Sequence, residues 1–234
     1  AKTVILNGGS SDTTYAQIGH GGVYSSGDST TTGDIKFTDA TAVTLNGGAA
    51  LAYAQIGHGG FAASGDRFGN ISLGLSDQLG LYGGGGSVAY AQIGHGGLAT
   101  NATLGGTISV VTAGDVVLDA LGSGVDAYAQ IGHGGSSTSG TMSGLIDATV
   151  GGNLTMIGDP AGQAAMIGHG GLAGDATMSG DILVKVDNSA TMTQAVIGHL
   201  TTGVYSGGNT WIGVGQGPSK IGTITADNTS LFKS

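Results

Sequence analysis

The 234-residue chain has no cysteine, no glutamate, two prolines and a single arginine, and only 9% of it is charged. Without cysteine there are no disulfide staples, no thiolate catalysis and no cysteine-ligated zinc. Glutamate, lysine and arginine are the usual surface helix formers, and their scarcity beside 50 glycines argues against helices. Each glycine costs a helix up to about 1 kcal/mol relative to alanine. Collagen is excluded because glycine does not fall at every third residue and proline is scarce. The six basic residues, Lys2, Lys36, Arg67, Lys185, Lys220 and Lys233, are scattered under a net charge of −9. Nucleic acid is therefore not an expected partner, since phosphate binding needs clustered cations. No apolar run approaches the ~20 residues of a transmembrane helix. No charged segment followed by an apolar one opens the chain as a secretion signal would. A mean hydropathy of +0.21 speaks against disorder. A glycine-rich β protein remains.

An internal repeat sets the expected fold. Tyr-Ala-Gln-Ile-Gly-His-Gly-Gly occurs at 15–22, 53–60, 90–97 and 128–135, then reads Ala-Ala-Met-Ile-Gly-His-Gly-Gly at 164–171 and Gln-Ala-Val-Ile-Gly-His at 194–199. A second recurring segment precedes it, as in Val43-Thr44-Leu45-Asn46 and Val116-Val117-Leu118. A third follows a glycine or turn, as in Ile35-Lys36-Phe37, Ile71-Ser72-Leu73 and Ile182-Leu183-Val184. Each ~37-residue period thus holds three short alternating strands separated by Gly, Asn, Asp and Ser turns. None can bury a face alone, so the repeats stack. The expected architecture is all-β: a right-handed parallel β-helix (β-solenoid) of about six coils, three-sided, with residues 1–200 forming the repeats and 201–234 a degenerate final coil or junction. Two smaller coils per repeat would satisfy the same period. The segments from Val23 to Asp34 and from Phe61 to Asn70 read as one long corner.

Alternation within the histidine motif puts Ala16, Ile18 and His20 on one face and Tyr15, Gln17 and Gly19 on the other. Isoleucine recurs in all six copies (Ile18, Ile56, Ile93, Ile131, Ile167, Ile197), which assigns its face to the core. Tyr15, Tyr53, Tyr90 and Tyr128 are then expected to stack on the outer face. Gln17, Gln55, Gln92 and Gln130 are expected to bond amide to amide along the axis. His20, His58, His95, His133, His169 and His199 form a further column. With one imidazole per coil and no carboxylate at fixed offset, the column is expected to bond turn backbone or its own neighbours, not to hold a metal. Protonating such a column is repulsive, so coils should loosen in acid.

Asp28, Asp34, Asp66, Asp175 and Asp181 sit beside glycine in turns. They are expected to bond their own backbone, with calcium a weaker possibility because the Gly-Gly-x-Gly-x-Asp calcium repeat is missing. No cofactor is expected. A β-helical lyase or hydrolase needs converging carboxylates or a basic residue in a cleft, and no such pair recurs, so no enzyme activity is expected, although Asp77 and Asp115 could meet across coils. Ice binding would need regular Thr-x-Thr rows, which the period does not carry.

The motif set from about Thr3 to Leu200, with Val43-Thr44-Leu45-Asn46-Gly47-Gly48 and the six histidine blocks, resembles the repeats of large bacterial surface proteins related to filamentous haemagglutinin. The resemblance implies a right-handed β-helical shaft, two-partner secretion across the outer membrane, and an extracellular or cell-surface role in adhesion or biofilm. The family's secretion domain is not visible, and Trp211-Ile212-Gly213-Val214-Gly215 departs from the repeat. No amphipathic capping helix is legible at either terminus, so the expectation is that either the protein continues beyond these residues or identical subunits self-associate end to end along the axis. Two functions follow as expectations: a structural shaft or fibre segment, or a glycan-binding module whose long corners and exposed tyrosine ladder hold sugar rings.

Overall fold

A computed structural model of the chain describes residues 2–25, 30–120, 124–159, 164–171, 174–200, 205–207, 209–214, 223–226 and 231–232. Its regular elements there are all strands, arranged in four parallel sheets. One strand is added to each sheet in every repeat. The first sheet holds Thr3–Asn7, Ala42–Asn46, Leu79–Tyr82, Val116–Asp119, Leu154–Ile157, Ser189–Thr193 and Thr223–Ala226. The second holds the histidine motif: Tyr15–Ile18, Tyr53–Ile56, Ala91–Ile93, Tyr128–Ile131, Ala164–Ile167, Ala195–Ile197 and Leu231–Phe232. The third is a short corner sheet of Thr31–Thr32, Arg67–Phe68, Asn101–Gly105, Ser139–Ser143, Thr177–Ser179 and Tyr205–Gly207. The fourth comprises Ile35–Ala40, Ile71–Leu75, Ile108–Thr112, Ile146–Val150, Ile182–Val186 and Thr210–Val214.

The molecule is therefore a parallel β-solenoid in which one repeat makes one turn. Register partners carry the same letter of the repeat: Tyr15 pairs with Tyr53, Gln55 with Gln92, Ile71 with Ile108 and Leu81 with Leu118. Two coils per repeat are thereby excluded. The three-sided section expected from sequence is corrected to four strands per turn. The extra strand lies in the long corner, where Asn-Ala-Thr-Leu-Gly and Ser-Gly-Thr-Met-Ser carry too few apolar residues to show alternation. Strands also continue past residue 200: Thr210–Val214 pairs with Ile182–Val186, and Thr223–Ala226 with Ser189–Thr193.

Alternation decides what each strand buries. Val43 and Leu45 of the first sheet, Ala54 and Ile56 of the second, and Ile71, Leu73 and Leu75 of the fourth point into one continuous core, with their equivalents above and below. Each fully buried Leu or Ile there stabilises by roughly 1.5–3 kcal/mol relative to exposure. The corner sheet feeds a smaller cluster of Ala102, Leu104, Met142, Ala176 and Met178. Aspartates stitch corners between coils: Asp34 accepts the Asn70 N–H, Asp66 that of Thr103, Asp115 that of Asn153 and Asp181 that of Asn209, at 2.7–2.8 Å. The carboxylates of Asp34, Asp66 and Asp181 thus cap the next coil, which corrects the expectation that they bond their own turn. Asp28 lies outside the described residues.

Candidate functional site

The feature that recurs with the least change is the junction between successive histidine motifs, and every letter of Tyr-Ala-Gln-Ile-Gly-His-Gly-Gly has a place in it. Ile56, Ile93, Ile131, Ile167 and Ile197 are fully buried in the main core, with Ile18 of the first coil half-buried against it. At the first glycine the chains approach so closely that a methyl group on Gly57, Gly94, Gly132 or Gly168 would overlap the carbonyl oxygen of the equivalent glycine one coil along. No side chain fits there.

The imidazoles stack at 4.8–5.1 Å between ring centroids, with interplanar angles of 2–12°. Each after the first is tied at both nitrogens. The backbone N–H of His20, His58, His95, His133 and His169 donates to Nδ1 of the histidine in the following coil at 3.0–3.1 Å. Because Nδ1 accepts, the proton belongs on Nε2, which donates to the carbonyl oxygens of Gly33, Gly69, Gly106, Gly144 and Gly180 at 2.8–3.0 Å. Every histidine after the first therefore bridges two corners: the turn leaving the second sheet and the turn entering the fourth. Burial, reinforced for most of them by neighbouring imidazoles, pushes their pKa values down, to about 4 for His95 and about 3 for His169. The same direction holds for His58, His133 and His199. His20 in the first coil is exposed.

The other face of the motif is also enclosed, which corrects the expected outer face. Tyr53, Tyr90 and Tyr128 are at most 3% exposed, and Gln55, Gln92 and Gln130 at most 1%; only Tyr15, at 46%, is open. The chain leaving the Gly-Gly pair folds back over this face, so Phe61 and Leu98 pack on the tyrosines. Strands covered on both sides usually read as continuous apolar runs, and here the buried glutamine between alanine and isoleucine mimics the alternation of a half-exposed strand. The tyrosine rings do stack, at 4.7–5.1 Å and within 7° of parallel. Their tips lie over the last glycine of the motif (Gly22, Gly60, Gly97, Gly135), where any side chain would collide with the hydroxyl. The Tyr53 and Tyr90 hydroxyls sit beside the backbone of Phe61 and Leu98 and, like that of Tyr128, close no hydrogen bond of normal geometry. Burial pushes all three phenols well above their ordinary pKa.

The glutamines do not form the expected amide-to-amide ladder. Gln55 Nε2 reaches Gln92 Oε1 only at 3.5 Å, but it lies 2.9 Å from the carbonyl oxygens of both Gly94 and Gly96 in the next coil. Gln17 donates likewise to Gly57 and Gly59, Gln92 to Gly132 and Gly134, and Gln130 to Gly168 and Gly170. Each side chain thus donates to two backbone carbonyls of the next coil, of which Gly59 and Gly96 also accept a backbone N–H, from Gly22 and Gly60. The middle glycine gives room to the corner sheet: a side chain on Gly96, Gly134 or Gly170 would strike Leu104, Met142 or Met178.

Two participants escaped sequence reasoning. Arg67, buried in the corner sheet, donates to the carbonyl oxygens of Asp66 and Ser64 and lies near His58 and His95; burial lowers its pKa. The Leu104, Met142 and Met178 column was the other, although its spacing follows the period. Asp77 and Asp115 do come into adjacent coils, where Gly114 N–H donates to the Asp77 backbone oxygen while the Asp115 carboxylate caps Asn153. Among the described residues no three His, Asp, Glu or Cys side chains are grouped to hold a metal. No helix among them is long and apolar enough to cross a membrane.

No protein-family model, curated protein or solved structure matches the chain. Its likeness to filamentous haemagglutinin repeats thus rests on the motifs alone, while the β-helical architecture that the likeness implied is present.

Proposed function

We propose that the chain is a structural shaft segment of an extracellular or cell-surface bacterial protein of the adhesin or filament kind, with axial self-association through coil faces of the same chemistry. One observation carries this reading: the recurring letters of the repeat are consumed in coil-to-coil contacts, with the imidazoles, amides and phenols directed along the axis or into the body. A surface built for a ligand would spend its recurring polar groups outward. Four parallel sheets whose coil-to-coil hydrogen bonds run along the axis and share an axial load suit a load-bearing rod.

Single-molecule extension of tandem copies of the whole chain tests the proposal. A shaft gives unfolding forces at or above those of ordinary β-sandwich domains, with steps of one coil or of the whole stack. Yielding at the low forces of helical bundles would sink it. The glycan-binding alternative loses the tyrosine ladder, since Tyr53, Tyr90 and Tyr128 are buried, and rests on the long corners.

A further inference from the structure

We propose that the histidine column is an acid-triggered release for the stack: a junction closes only around an imidazole whose Nδ1 is free to accept, so acidification opens several junctions in one cooperative, reversible event. At five successive junctions Nδ1 takes a backbone N–H from the previous coil, and Nε2–H is committed to a glycine carbonyl. A second proton can enter the ring only at Nδ1. There it would point at a backbone N–H about 3.0 Å away, replacing a hydrogen bond with two opposed donors. The junction must part before the ring is charged.

Among the described residues no carboxylate acts on His58, His95, His133 or His169. The charged group near it is Arg67 from the corner sheet, whose cation disfavours protonation of His58 and His95, with the Asp66 carboxylate beside that arginine. The remaining titratable neighbours are the imidazoles themselves, one ring spacing above and below. The glycine carbonyls favour the charged form, but burial outweighs them at His58, His95, His133, His169 and His199.

The sign follows from linkage. A histidine in the unfolded chain titrates near 6.5, and the folded values lie below it, so below pH 6.5 the unfolded chain binds more protons. The stabilisation is complete above about pH 6.5 and is lost as pH falls from there toward the folded values, near 4 for His95 and near 3 for His169. Between pH 6.5 and 5 the unfolded carboxylates, titrating near 3.9, stay ionised, so proton uptake there reports histidine.

The test is urea unfolding of the whole chain at pH 7, 6, 5.5 and 5, with proton uptake on unfolding measured in parallel. At pH 5–5.5 two or more protons should be taken up per molecule, so the folding constant should fall on the order of a hundredfold or more per pH unit. Native signal should return on neutralisation. In the double variant His95→Asn with His133→Asn, an amide oxygen can replace Nδ1 as acceptor, and uptake should drop by about two protons. Uptake below one proton in the parent, or undiminished uptake in the variant, overturns the proposal. If the variant does not fold, imidazole NMR shifts of the parent decide: neutral rings in the folded chain at pH 5.5 support the release, and charged rings in a fully folded stack overturn it.

Discussion

The histidine column runs through all six motif copies, whereas the tyrosine and glutamine ladders stop after the fourth. In the fifth coil Ala164 stands in register with Tyr128 and Met166 with Gln130; in the sixth, Val196 follows Met166. Imidazole stacking continues unbroken across the same boundary, His133 to His169 to His199, at 4.9 Å. The difference separates two jobs. Each histidine after the first ties together two corners, and glycine alone permits the approach beside it. Tyrosine and glutamine buttress one covered face, where alanine stands in place of tyrosine and methionine or valine in place of glutamine in the later coils.

Substitutions can break or sharpen that division. Gly132→Ala forces a methyl group onto the Gly168 carbonyl and should abolish folding or cost more than about 4 kcal/mol, read as the thermal midpoint. Next comes His133→Ala, which removes the imidazole's bonds to the His95 N–H and the Gly106 carbonyl and leaves a buried void, at about 3–4 kcal/mol in urea unfolding. Gln92→Met copies the fifth coil into the third and should cost only about 1–2 kcal/mol, the loss of donors to Gly132 and Gly134 being partly offset by apolar burial. A glutamine cost equal to or above the histidine cost would contradict the division. Tyr90→Phe removes a buried hydroxyl with no partner of normal geometry and should be neutral or stabilise by up to about 1 kcal/mol. Smallest is Ala99→Gly. Ala99 is exposed at φ +52°, and glycine should gain a few tenths to ~1 kcal/mol, visible as a small rise in the thermal midpoint.

The period of the motif was enough to read parallel stacking, and the constant isoleucine was enough to read the core. What alternation could not convey was the second covering layer. Phe61 and Leu98 lie beyond the Gly-Gly pair, in a segment without a strand pattern, and they turn an apparent outer face into an inner one. The corner sheet was hidden for a similar reason, because a strand of two to five residues rich in Thr, Ser and Gly has no hydrophobic signal of its own. The glutamine's partners were obscured by a general ambiguity: an amide column can bond to itself or to backbone, and only the close glycine approach decides between them. The left-handed corner residues Leu51, Val88 and Asp126, each two positions before a tyrosine, carry no common side-chain chemistry by which they could be found.

The central claim is that the motif is a junction code, with each imidazole locked as the Nε2–H tautomer by the preceding coil. Nitrogen-15 NMR of the imidazoles at pH 7, combined with exchange rates of the His58, His95 and His133 backbone amides, addresses it most directly. The account predicts five rings protonated at Nε2 and accepting at Nδ1, with those amides exchanging only through global unfolding. Averaged or Nδ1-protonated rings, or amides that exchange as fast as exposed turns, would contradict it.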